Sequence, residues 1–132
     1  MSSKQRQLWC VPWGQGKSRI SATLAAIALM TGIVGVVYIV HENKHLMERD
    51  QKDFQVYWTL LGIDNTRVKY QVGLGFAPEP NSLIVFDEAD TFMLGDTDKF
   101  TKLIDGCFCI CLTATPDDRD AKGAHRLVIE TL

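Results

Sequence analysis

The sequence predicts an α/β domain with a mostly parallel sheet flanked by helices. Three observations lead there. Short apolar runs alternate with helical stretches, and helices set between apolar strands imply crossover connections. The longest uncharged run reads as a buried helix followed by a buried strand. No internal repeat, low-complexity tract or linker divides the 132 residues, which fit one domain with a modest core.

Taken in order, the first strand is expected over Gln7–Val11 and the first helix over Lys17–Met30. From Ile20 to Val40 the chain carries no charge, long enough in principle to cross a bilayer. Its parts differ, however. The beginning is rich in Ala and Leu, Thr31-Gly32 and Gly35 interrupt it, and the end is β-branched through Val34, Val36, Val37, Ile39 and Val40. That pattern describes a helix, a turn and a strand over Val36–His41, so a membrane location is not expected. A second helix follows over Lys44–Leu61, then a strand over Arg67–Val72 and a Gly- and Pro-containing loop from Gly73 to Ser82. Strands at Leu83–Phe86 and Phe108–Leu112 flank a helix at Asp98–Ile104, and Leu127–Ile129 reads as a last strand.

Composition narrows the function classes. Hydrophobic residues at 46% and charged residues at 23% describe an ordinary globular chain rather than a disordered or fibrous one. A net charge of −2 exerts no general pull on nucleic acid or an anionic membrane, so any such surface must be local. Cys107, Cys109 and Cys111 alternate with Phe108, Ile110 and Leu112, which in a strand sends all three thiols to one face. They fit a buried strand of a reduced, cytoplasmic protein, and they lack the spacers of zinc knuckles. No apolar core of a signal peptide follows Lys4 and Arg6.

The chemistry gathers at two strand ends. The first strand runs into Val11-Pro12-Trp13-Gly14-Gln15-Gly16-Lys17-Ser18, followed at once by a helix. Gly14 and Gly16 let the backbone fold tightly, so that its N–H groups can face phosphate oxygens. The helix start adds its positive dipole end. Lys17 can reach the β- and γ-phosphates of a nucleotide, and the Ser18 hydroxyl can ligate Mg²⁺. Trp13, beside the glycines, either packs or stacks on a base.

Further on, Leu83–Phe86 ends in Asp87-Glu88-Ala89-Asp90. Carboxylates at the end of an apolar strand are costly unless they serve a cation or a proton transfer. Asp87 suits a Mg²⁺ held through water, and Glu88 suits positioning and deprotonating an attacking water. After one more helix and strand, the hydroxyls of Thr113 and Thr115 can bond Asp90 and pass nucleotide state to the rest of the protein. In a parallel sheet these strand ends meet at one edge.

With those residues in hand, the chain resembles the superfamily 2 helicase-type motors. The stretch Gly14–Ser18 looks like their motif I, Asp87–Asp90 like motif II and Leu112–Pro116 like motif III, in the right order across nearly the whole chain. The full phosphate-loop pattern has Gly where Val11 stands, a position such motors relax. The resemblance implies a RecA-like P-loop NTPase lobe over 1–132 that binds ATP and Mg²⁺. The nucleotide would sit on Gly14, Gln15, Gly16, Lys17, Ser18 and Arg19, with Lys17, Asp87 and Glu88 as catalytic residues. A narrower likeness, which makes a SecA-like ATPase domain the preferred subfamily, is to SecA-type preprotein motors. Asn43, Leu46, Arg49, Asp50, Leu61 and Gly62 fall without a gap on that family's N-x-x-L-x-x-R-D and L-G residues. SecA proteins carry a large insertion after the acidic motif, whereas here only a short helix and strand follow it, and LTATP is closer to nucleic-acid helicases.

In this family hydrolysis occurs between two RecA-like lobes, and arginine fingers come from the second lobe, which this chain is expected to lack. Such an arginine is worth roughly 10³–10⁵ in rate in related phosphoryl transfer. The chain alone is therefore expected to bind Mg-ATP but hydrolyse it poorly. The same resemblance makes His41, Asn43 and Arg49 candidates for contact with a polymer, nucleic acid or polypeptide.

His41-Glu42-Asn43-Lys44-His45 also matches the HExxH zinc-protease pattern. That pattern needs both His on one helix face. A strand ending at His41 and a helix capped by Asn43 would separate them. Three function classes stay open: a motor lobe with turnover, a nucleotide-binding or interaction module without it, and, with the least weight, the zinc or membrane reading. The basic residues Lys44, Arg49, Lys52, Arg67 and Lys69 are scattered, and acids such as Glu48, Asp50 and Asp53 stand among them, as on a solvated face.

Overall fold

The computed structural model describes residues 6–10, 17–87, 97–105 and 107–113. The elements are β1 (Arg6–Cys10), α1 (Lys17–Met30), β2 (Val37–His41), α2 (Lys44–Leu60), β3 (Val68–Val72), β4 (Leu83–Asp87), α3 (Thr97–Ile104) and β5 (Phe108–Thr113). The strands form one five-stranded sheet in the order β1-β5-β4-β2-β3. Every pairing in it is parallel. The strand expected at Leu127–Ile129 lies outside the described residues.

Crossing direction and face go together. The steps from β1 to β2 and from β2 to β3 move one way across the sheet, and α1 and α2 pack on one face. The steps from β3 to β4 and from β4 to β5 move back, and Leu74, Phe76 and α3 cover the other face. A single crossover hand requires that reversal of face.

The uncharged stretch from Ile20 to Val40 divides as its composition indicates. Ala22, Ala25, Ala26 and Leu29 turn one side of α1 onto the sheet, and the small alanines let the helix lie close. The helix ends where Gly32 takes φ +77°, a left-handed conformation that side chains resist. Among the described residues no helix is long and apolar enough to cross a membrane.

On the first face, α1 and α2 enclose Val37, Ile39, Trp58, Val68, Leu83, Val85 and Leu112. On the second, Phe100, Leu103 and Ile104 of α3 meet Tyr38, Val40, Ile84, Phe86 and the three cysteines. The thiols thus share one buried face, as their alternation indicates. All five residues of β2 and of β4 are buried, so these strands are apolar on both sides, whereas β3 at the edge is only half-buried.

β3 begins one residue later than expected, because Arg67 belongs to the turn before it. Asp64 accepts hydrogen bonds from the Thr66 amide and hydroxyl, both at 2.9 Å, and closes a 3₁₀ turn over Asn65–Arg67. Arg67 then donates to the carbonyls of Gly35 (3.1 Å) and Leu29 (3.4 Å), tying the start of β3 to the end of α1.

Phe86 is fully buried with its ring 4.7 Å from that of Phe100, centroid to centroid. Truncation to Phe86→Ala should cost about 3–5 kcal/mol in chemical denaturation. Leu60 is 80% exposed, and Leu60→Ala should stay within about 0.5 kcal/mol of the parent chain.

Candidate functional site

The register of the sheet decides what meets at its carboxyl edge. Cys10 of β1 stands opposite Thr113 of β5, and Asp87 of β4 stands opposite Leu112. Val40 of β2 pairs with Phe86, so the next residues, His41 and Asp87, share one level. The end of β1, the carboxylate of Asp87 and the end of β5 therefore lie along one edge, with β5 alone between β1 and β4. α1 begins at Lys17, seven residues past Cys10, so its unpaired N–H groups belong to this same edge. Within its first turn Ser18 is half-buried and Arg19 exposed.

β2 leads to α2 on one face and β4 leads toward α3 on the other. Neighbouring strands that diverge in this way open a crevice beyond their carboxyl ends. His41 and Asp87 fill it. Nδ1 of His41 lies 3.2 Å from Asp87 Oδ2, and Nε2 lies 3.2 Å from Asp50 Oδ2. The Asp87 contact has hydrogen-bond geometry. An ionised carboxylate only accepts, so the shared hydrogen belongs to Nδ1. The Asp50 contact is within ion-pair distance, but Nε2 is misaligned for a hydrogen bond. Asp50 Oδ1 in turn accepts from Nε and Nη2 of Arg49, both at 3.3 Å. The Tyr70 ring stacks parallel to the imidazole, with centroids 6.3 Å apart and 4° between planes.

This arrangement revises one expectation. His41 is 1% exposed, which closes its side chain to a polymer. Asn43 and Arg49 are the exposed members of that group. Asn43 has a local task, because its side-chain oxygen accepts from the Leu46 amide at 2.9 Å and caps α2. With His41 on a strand and His45 exposed in the first turn of α2, the HExxH residues share no helix face. Among the described residues no group of three or more His, Cys, Asp or Glu is placed to hold a metal ion by itself.

Of the other expected site residues, Lys17 opens α1 and Thr113 ends β5. Gly14, Gln15, Gly16, Glu88, Asp90 and Thr115 lie outside the described residues. Two residues of the site escaped the reading of the sequence. Asp50 sits in a run of charges that looks like a solvated face, yet it is 4% exposed. Its signal was phase: Leu46, Asp50, Phe54, Tyr57 and Leu61 recur at three- and four-residue steps, which puts Asp50 in the inward stripe of α2. Tyr70 carried no comparable signal.

No family model and no curated protein matches this sequence. Solved structures do match it in shape. The helicase domain of Hef from Pyrococcus furiosus superposes with a TM-score of 0.69 at 20% identity, covering 98% of this chain and 34% of that one. The SWI2/SNF2 ATPase core of Sulfolobus solfataricus, solved with double-stranded DNA, superposes at 0.65 with 14% identity, covering 98% of this chain and 31% of that one. The fold is thus RecA-like, a parallel sheet flanked by helices as in those two structures. The chain spans about a third of the length of either structure.

Burial pushes the Tyr70 hydroxyl up to about 12, against the hydrogen bond from Trp58 Nε1 at 3.3 Å and with the nearby Asp50 charge adding to the rise. A raised tyrosine favours the folded state while it is neutral. Its contribution is complete below the unfolded value of about 10 and is lost as pH climbs through the folded one. Unfolding free energy measured across that window should fall more steeply for the parent chain than for Tyr70→Phe.

Proposed function

We propose that this chain is the ATP-binding lobe of a helicase- or translocase-type motor, coupling ATP hydrolysis to movement on a polymer. One observation carries the reading. The parallel register brings the end of β1, from which the sequence runs on to the Gly14–Ser18 motif, to the same edge as Asp87 and Thr113. Three motif-bearing strand ends far apart in sequence gather where α/β sheets bind ligands.

In this reading Gly14, Gln15 and Gly16 present backbone N–H groups to the phosphates, with Lys17, Ser18 and Arg19 at the start of α1 completing the cradle. The donor set fits magnesium. The Ser18 hydroxyl and the Asp87 carboxylate are hard oxygens, and sites for this ion use one or two carboxylates together with substrate phosphates. Bound there, the ion would neutralise charge on the phosphate oxygens. Glu88 takes the proton of the attacking water, while Asp90, Thr113 and Thr115 couple the nucleotide to the rest of the motor. A second RecA-like lobe supplies the opposite wall and its arginine. Asn43 and Arg49, exposed at the start of α2, face the polymer.

Two polymers suit this lobe. The Sulfolobus ATPase core was solved with double-stranded DNA, and the LTATP motif favours nucleic acid. The ungapped match of Asn43, Leu46, Arg49 and Asp50 to SecA-type motors favours polypeptide. Salt-dependent binding of single-stranded nucleic acid would select the first, and its absence the second. The competing class is a nucleotide-binding module without turnover.

Calorimetric titration should show Mg-ATP binding by the parent chain and its loss in Lys17→Ala. Glu88→Gln should bind as the parent does and abolish whatever slow hydrolysis the chain performs. A folded parent chain that binds no Mg-ATP sinks the motor reading.

A further inference from the structure

The motif residues do not account for His41. A histidine ending an apolar strand, fully buried and set between two carboxylates, is costly unless its position matters. Three elements converge on it. Asp87 comes from β4, Asp50 from α2 and the stacked Tyr70 from β3. The ring is rigid and planar, and its two nitrogens point in fixed, divergent directions. It therefore sets where the Asp87 carboxylate stands relative to α2. The contacts continue outward, from Asp50 to the Arg49 guanidinium, whose side chain is 57% exposed on α2.

We propose that His41 is a positioning residue: by donating from Nδ1 it holds the Asp87 carboxylate in the orientation that magnesium-bound nucleotide requires, while its Nε2 edge packs 3.2 Å from Asp50 of α2. The inference rests on the motor reading, in which Asp87 serves magnesium. Carboxylates that serve a metal are commonly held by a further hydrogen bond of this kind. The same run of contacts places Arg49, a candidate polymer contact, two side chains (Asp50 and His41) away from Asp87.

Two substitutions separate this role from simple packing. Asparagine offers its amide N–H near the place of Nδ1, so His41→Asn keeps the donor to Asp87 and gives up the reach to Asp50. Glutamine places its amide near Nε2, so His41→Gln keeps the Asp50 side and withdraws the donor from Asp87. Both are polar and similar in size, and a merely structural role would treat them alike. The measurement is ATP affinity by calorimetry with magnesium and with chelator, alongside circular dichroism and an unfolding curve for each variant.

His41→Gln should lose roughly tenfold or more of the magnesium-dependent part of the affinity. Its affinity in chelator should match the parent. His41→Asn should retain most of the magnesium effect. Asp50→Asn, which leaves the donor in place, should lie between the two and keeps the test open if His41→Gln does not fold. Equal magnesium dependence in the parent, His41→Gln and Asp50→Asn would overturn the positioning role and leave the motor reading intact. A folded parent chain without Mg-ATP binding would overturn both, and the network would then serve the core alone.

Discussion

Parallel pairing of β4 between β5 and β2 is the constraint on which the rest of the molecule depends. β4 is buried along its whole length and packed on both faces, so its register fixes the two neighbours at once. A slip of one residue would exchange Ile84 and Phe86 with Val85 between the two halves of the core. It would also move Asp87 off the level of Leu112 and His41. Core packing and the placement of polar groups at the carboxyl edge are thus settled by the same set of backbone hydrogen bonds.

Much of this was legible in the sequence because apolar runs this dense leave few alternatives. Val37–His41 and Leu83–Asp87 begin and end within a residue of where their hydrophobicity suggests, and Asn43 caps α2 as its position before Lys44 implies. The common face of Cys107, Cys109 and Cys111 follows from strand alternation alone. The order of the strands was harder. Nothing local to β1 says that the chain must cross β5 and β4 before laying down β2. Arg67 was misplaced for a related reason, since its carbonyl partners lie more than thirty residues upstream.

The site divides along the same line. Residues with a chemical signature, such as Lys17, Ser18 and Asp87, stand out because their neighbours along the chain complete the pattern. Asp50 and Tyr70 act through space on His41, and no motif records that. A histidine at the end of an apolar strand reads, by resemblance, as a candidate polymer contact. Its burial instead follows from two carboxylates on separate elements that close over it, a relation visible only once α2 and β4 are folded against β2.

The thiols beneath α3 carry a consequence of their own. Cys109 and Cys111 lie with their sulfurs 3.5 Å apart, and Cys107 sits against the Ser82 hydroxyl, all sealed under Phe100 and Ile104. An alkylating reagent reaches them only when that helix lifts or the whole sheet comes apart. Their labelling rate in native buffer, told apart from that of Cys10, is therefore a clock for the opening of one layer of the fold, read without any substitution in the chain. Because α3 is the next described element after the acidic strand end, the same clock would register how firmly anything gripped at that end holds the layer shut.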